Sequence, residues 1–94
     1  MKLNFYATLR PIVGGKSVNM PEAIGMTVQQ VLDELMHRFP PLRKELYAPD
    51  GTLYPHIHFF VNGRDAQFLE EGLNYIIQEM DTVNIFPAVG GGRE

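Results

Sequence analysis

Apolar and polar residues alternate along residues 2–9. Leu3, Phe5, Ala7 and Leu9 fall on one side, and Lys2, Asn4, Tyr6 and Thr8 on the other. A period of two is that of a strand with one buried face. A strand is therefore expected here, ended by Pro11, which has no amide hydrogen for a ladder. Gly14-Gly15 then reads as a turn needing positive φ, and residues 16–20 as a second strand completing a hairpin. The period changes after Thr27. Val28, Val31, Leu32, Leu35, Met36 and Phe39 recur at helical spacing, which puts them on one face of an amphipathic helix. Thr27 is a good N-cap, and Gln30 three residues on completes a capping box. His37 and Arg38 suit the negative end of the helix dipole, and Pro40-Pro41 stops the helix.

Beyond the helix the pattern is less regular. Leu42, Leu46 and Tyr47 suggest a short helical turn, and "APDG" a tight turn. "HIHFFVNGR" reads as a strand closed by a turn at Asn62-Gly63. Residues 66–80 fit either a loop with a helical turn or a strand through Tyr75 to Gln78. "TVNIFPAV" is a last strand, with Val83 and Ile85 inward and Asn84 and Phe86 outward. Hairpin, helix and further strands predict an α+β fold in two layers: a mixed sheet of four or five strands packed on one main helix. The first and last strands are expected side by side in the middle, as in a β-grasp. Residues 1–89 form the single domain and residues 90–94 a flexible glycine-rich tail.

Composition narrows the function classes. Ninety-four residues make one domain, and with no cysteine there is no disulfide frame or thiol nucleophile. This suits a reducing compartment, and the cytoplasm is the expected one. A net charge of -3 with no basic run argues against nucleic acid as a partner. No apolar run reaches the roughly 20 residues of a membrane span, and the opening residues lack the apolar core of a signal peptide.

No Ser-His-Asp order, phosphate loop or zinc frame is present, so no catalytic residue is assigned. His56 and His58 would share a face of a strand, but spacing supplies no third ligand, and no metal site is assigned. Glu70-Glu71 and Asp33-Glu34 are neighbours in sequence that do not face each other and read as solvated surface. Phe60 and Phe86 lie off the inward register of their strands. Together, with Tyr6 near them, they would form an apolar protein-docking patch opposite the helix. Otherwise the irregular segment from residue 41 to 55 covers them. Gly90, Gly91 and Gly92 follow the last strand with no element to join. Their alternatives are a frayed end or a slim tail for a narrow channel, residues 89–92 reaching about 13 Å when extended.

Taken in order, "KLNFYATLRPIVG", "TVQQVLDEL", "VNGRDA" and "MDTVNIFPAVGGG" resemble the ubiquitin-like sulfur carriers. These are the MoaD-type small subunit of molybdopterin synthase and the ThiS-type thiamine carrier, and the MoaD type is the nearer. The resemblance implies a β-grasp and a carrier, not an enzyme. A ubiquitin-activating-type partner adenylates the terminal glycine with ATP. Sulfur then replaces oxygen to give a thiocarboxylate. For the molybdopterin type, the large synthase subunit receives the tail and a cyclic pterin precursor receives the sulfur.

Phe86-Pro87 match the family's F-P, with Ala88 where a second proline is common. Val89 matches, and Gly90 stands where a small or polar residue is usual. Gly91-Gly92 match the terminal pair, with Gly92 carrying the sulfur. Phe60, Phe86 and Pro87 are the expected docking residues. Arg93-Glu94 depart from the pattern, since Gly92 has no carboxylate until a processing protease removes them. The stretch "FLEEGLNYIIQEMDT" is also longer than the compact family form. Alternatives are a carrier for another product (thiamine, a sulfur amino acid, a thiolated tRNA), a protein modifier joined to lysines, or an interaction module with an inert tail.

Overall fold

A computed structural model describes residues 1–87. Five strands form one mixed sheet: β1 (Lys2–Phe5), β2 (Ser17–Asn19), β3 (Ile57–Val61), β4 (Arg64–Asp65) and β5 (Val83–Pro87). Their spatial order is β2-β1-β5-β3-β4, so the chain's first and last strands lie together in the middle. They run parallel, with Leu3 beside Val83 and Phe5 beside Ile85, while β2 and β3 flank them antiparallel.

Burial alternates strictly along β3, where Ile57, Phe59 and Val61 point inward and His58 and Phe60 outward. Leu3, Phe5, Val83 and Ile85 complete the inner face. They pack against the helix α2 (Val28–Arg38), whose Val28, Val31, Leu32 and Leu35 are buried at the predicted spacing. Met36 and Phe39 pack at the margin of this core. The capping box is present in both directions: the Gln30 amide donates to Thr27 Oγ1 at 3.1 Å, and the Thr27 amide donates to Gln30 Oε1 at 2.8 Å. Phe39 caps the far end just before the two prolines. A short helix, α3 (Leu42–Leu46), adds Leu42 and Leu46 to the core. No helix among the described residues is long and apolar enough to cross a membrane.

The structure corrects the start of the chain. The first strand ends at Phe5, not Leu9. Ala7 has φ +54°, which breaks the extended run, and residues Ala7–Leu9 form a 3-10 turn. The helix α1 (Arg10–Val13) follows directly. Leu9 is buried because the turn carries it inward, so the period of two that continued to Leu9 was fortuitous. Pro11 sits in the first turn of α1, where a missing amide hydrogen costs nothing. Gly14, at φ +83°, is the left-handed cap of α1, so the two strands of the hairpin are joined by a helical excursion and not by a glycine turn alone. The second strand is shorter than residues 16–20.

The Asn62-Gly63 turn has positive φ at both positions, 54° and 84°, as a type I′ hairpin turn requires. It leads into the two-residue edge strand β4, which the sequence pattern did not separate from β3. The ambiguous stretch resolves into two 3-10 turns, Ala66–Phe68 and Gly72–Asn74, with an isolated bridge between Thr27 and Ile76. Asp81 closes this region. Its carboxylate accepts from Asn62 Nδ2, the Tyr75 hydroxyl and the Gln78 amide, each at 2.8 Å. The Asn62 side chain in turn accepts from the Thr82 amide at 2.9 Å. The β3–β4 turn is thereby fastened to the start of β5.

Candidate functional site

The outward residues of the three central strands meet on the face away from α2. Antiparallel pairing sets His58 opposite Phe86 and Phe60 opposite Asn84, and parallel pairing sets Asn4 beside Asn84. The rings of Phe60 and Phe86 lie 5.0 Å apart between centroids. Tyr6 meets Phe86 edge-on at 5.9 Å. Together with Ala7, Asn84 and Pro87 these side chains line an open groove of about 480 Å³. None of its lining residues comes from the segment between residues 41 and 55. That segment instead sends Leu42 and Leu46 into the core.

Polar groups frame the groove. Asn84 Oδ1 accepts from the Tyr6 hydroxyl at 2.9 Å and from Asn4 Nδ2 at 3.2 Å. With its oxygen so engaged, Asn84 Nδ2 is the remaining donor of that side chain. Arg10 donates from Nε to the Phe5 carbonyl at 2.8 Å, and its guanidinium lies 5.1 Å over the Tyr6 ring. On the other side, His58 Nδ1 is 2.7 Å from Asp65 Oδ2. Asp65 is only 8% exposed, and its second oxygen accepts from the Gln67 amide.

Phe60, Phe86 and Pro87 thus lie together on one accessible face. Val89, Gly90, Gly91 and Gly92 lie outside the described residues. His56 and His58 do not converge: His56 stacks on Tyr54 with centroids 5.1 Å apart, while His58 turns to Asp65. Asp50 is occupied by hydrogen bonds from Thr52. Among the described residues no three potential metal ligands cluster. Arg64 is exposed on β4 opposite Val61. Asn84 lies on this face as its outward register predicts, whereas sequence reasoning missed the His58–Asp65 pair and Arg10. The pair was within reach, because a hairpin through Asn62-Gly63 brings Asp65 back beside Phe60.

A central parallel pair in a five-stranded mixed sheet, one main helix beneath it and an apolar groove above define a ubiquitin-like β-grasp protein. The chain belongs to the ThiS family, whose model matches residues 3–92. It is 35% identical over 92 residues to small archaeal modifier protein 3 of Haloferax volcanii, covering 98% of both chains. It is 37% identical over 87 residues to the sulfur carrier protein CysO of Mycobacterium tuberculosis, covering 89% of both.

Solved structures agree. The crystal structure of small archaeal modifier protein 1 from Haloferax volcanii matches with a TM-score of 0.79 at 30% identity over 98% of each chain. A chain of the Amycolatopsis orientalis BexX/CysO complex matches with a TM-score of 0.75 at 32% identity, over 97% of this chain and 98% of that one. A Pyrococcus furiosus protein assigned to molybdopterin converting factor subunit 1 has a TM-score of 0.64 over 94% of this chain and 95% of its own. At 23% identity it shows the fold alone. The relatives are small carrier and modifier proteins by name, and the chain is of that kind.

Proposed function

We propose that this chain is a sulfur carrier whose working end is Gly92. The observation that carries the reading is where the family match stops: at residue 92, with Arg93-Glu94 beyond it. Removal of that dipeptide by a protease converts the Gly92 amide into a carboxylate. The carboxylate attacks the α-phosphorus of ATP on a ubiquitin-activating-type enzyme and releases pyrophosphate. A sulfur nucleophile then displaces AMP from the acyl adenylate, forming the C–S bond as the C–O bond to phosphate breaks. ATP belongs to the partner's chemistry, and the chain itself is co-substrate. The tail from Val89 through Gly90 and Gly91 carries no bulky side chain near the reacting end, so it fits a narrow channel. Phe60, Phe86 and Pro87 dock the partner through the groove from which that tail departs.

The acceptor is the finer question. Molybdopterin synthase's large subunit fits the chain's motifs, with a cyclic pterin precursor as the sulfur acceptor. Relatives at 30% identity or above support two other destinations equally: transfer into another sulfur-accepting enzyme, as the sulfur carrier protein CysO suggests, and attachment to proteins, as the small archaeal modifier proteins suggest.

The deciding experiment is the intact mass of the untagged protein from its own cells. A chain ending at Gly92, alone or with one oxygen replaced by sulfur, is expected. Lysine-linked conjugates of the same chain would select the modifier reading. Uniformly full-length protein during growth that demands the sulfur product would refute activation at Gly92. Docking is tested separately by Phe86→Asp, which should weaken capture by the activating enzyme at least tenfold without unfolding the chain.

A further inference from the structure

The groove's aromatic walls give it affinity but little orientation, because apolar contact is non-directional. The one buried carboxylate on this face, Asp65, gives one oxygen to the Gln67 amide and turns the other to a surface histidine, His58. An ionised carboxylate only accepts hydrogen bonds, so the proton of the neutral His58 ring sits on Nδ1 and Nε2 keeps a lone pair. Among the described residues Nε2 has no hydrogen-bond partner, and the His58 side chain is 28% exposed. The ring is held in place, edge-on to Phe60 at 5.9 Å and tilted against Phe86 at 5.4 Å. A fixed acceptor therefore stands beside the groove, directly across the ladder from Phe86 and next to the strand end at Pro87.

We propose that His58, oriented by Asp65, is a specificity-determining contact for the adenylating enzyme, accepting through Nε2 a hydrogen bond from a donor on that enzyme. This rests on the carrier reading above. The occupant follows from chain length. Residues 88–92 span at most roughly 17 Å. An enzyme that holds Gly92 must therefore bring its surface close to Pro87, and Pro87 lines the groove. Charge points the same way. The chain as a whole carries -3, yet Asp65 is the sole carboxylate on the outward side of the described strands, and Arg10 stands at the groove's opposite rim over Tyr6. A partner surface bearing a donor near His58 and acidic groups near Arg10 is the complement.

The test is ATP–pyrophosphate exchange by the adenylating enzyme purified from the same cells, with chain ending at Gly92 as the varied substrate. His58→Leu removes the acceptor. Asp65→Asn keeps the size and the Gln67 contact, but its amide can donate to Nδ1 and turn Nε2 into a donor. Each should raise KM for the chain about tenfold and leave kcat unchanged. His58→Gln restores an acceptor and should stay within about threefold of the parent. A role in folding alone would not separate Gln from Leu, and if Asp65→Asn unfolds, that pair decides.

Phe86→Asp is the control. If it raises KM while His58→Leu does not, docking at the groove stands and His58 has no part in it. If Phe86→Asp also leaves KM unchanged, the groove is not the docking face and the His58 contact falls with it.

Discussion

Replacing Asp81 by alanine removes three hydrogen bonds at once, and the structure says what each one does. Oδ2 gathers the Tyr75 hydroxyl and the Gln78 amide, and Oδ1 holds Asn62, which itself clamps the Thr82 amide. A hydrogen bond to a charged acceptor contributes about 1.5–3 kcal/mol when buried. Asp81 is half-exposed and two of its three bonds lie at the surface, so about 0.7 kcal/mol each is reasonable, or about 2 kcal/mol in total. For a domain of this length that corresponds to a fall in Tm of about 10 °C.

The effect depends on pH, and its sign follows from the carboxyl. Partial burial pushes Asp81 up, but the Gln78 amide, Asn62 and Tyr75 outweigh it and hold the group below its ordinary 3.8. A depressed pKa contributes stability that is fully present above the unfolded-state value and is lost as pH falls through the folded-state value. Urea unfolding of parent and Asp81→Ala should therefore differ by about 2 kcal/mol at pH 7, with the gap narrowing from just above pH 3.8 downward. A difference below about 0.5 kcal/mol at pH 7, or one that does not change with pH, would refute the clasp.

Three further outcomes are expected. Gly14→Ala meets no atom within 4 Å, so its cost is backbone strain alone at φ +83°, about 1 kcal/mol in a urea melt. Ala7→Gly acts in the opposite direction at φ +54°, gaining about 0.5 kcal/mol after the added freedom of the unfolded chain is subtracted; no change in midpoint would show that Ala7 is unstrained. Phe59→Ala empties the centre of the inner face, where the ring is 1% exposed, and should cost about 3–5 kcal/mol by denaturant unfolding. That is a large part of the stability of a domain this small, whereas the outward neighbour Phe60 should tolerate alanine at about 1 kcal/mol or less.

Much of this protein could be read from its residues because local chemistry settled it. The α2 helix follows from a six-residue apolar face, a Thr27–Gln30 box and two prolines, all between residues 27 and 41. The inward and outward sides of β3 and β5 follow from the pleat, so the outward placement of Phe60 and Phe86 could be stated without coordinates. The motifs of the tail and strands named the family. What misled was also local. Alternation ran on past Phe5 into a stretch whose backbone turns at Ala7, and a period of two cannot distinguish a strand from a 3-10 turn that happens to bury Leu9.

The contents of the groove were decided elsewhere. Tyr6 was expected near Phe86 only through the side-by-side placement of the first and last strands, and their edge-on contact exists because β1 and β5 pair in parallel across nearly the whole chain. Asp65 became a partner for His58 when a hairpin returned it to the same face. Asn84 is bonded by Asn4, on a strand 80 residues away, and by Tyr6 just beyond that strand's end. Strand pairing is a contest among distant segments settled by shared burial, so register, and every side-chain contact that depends on it, belongs to the tertiary structure. The sequence by itself determined which residues could face outward; the fold decided which of them would touch.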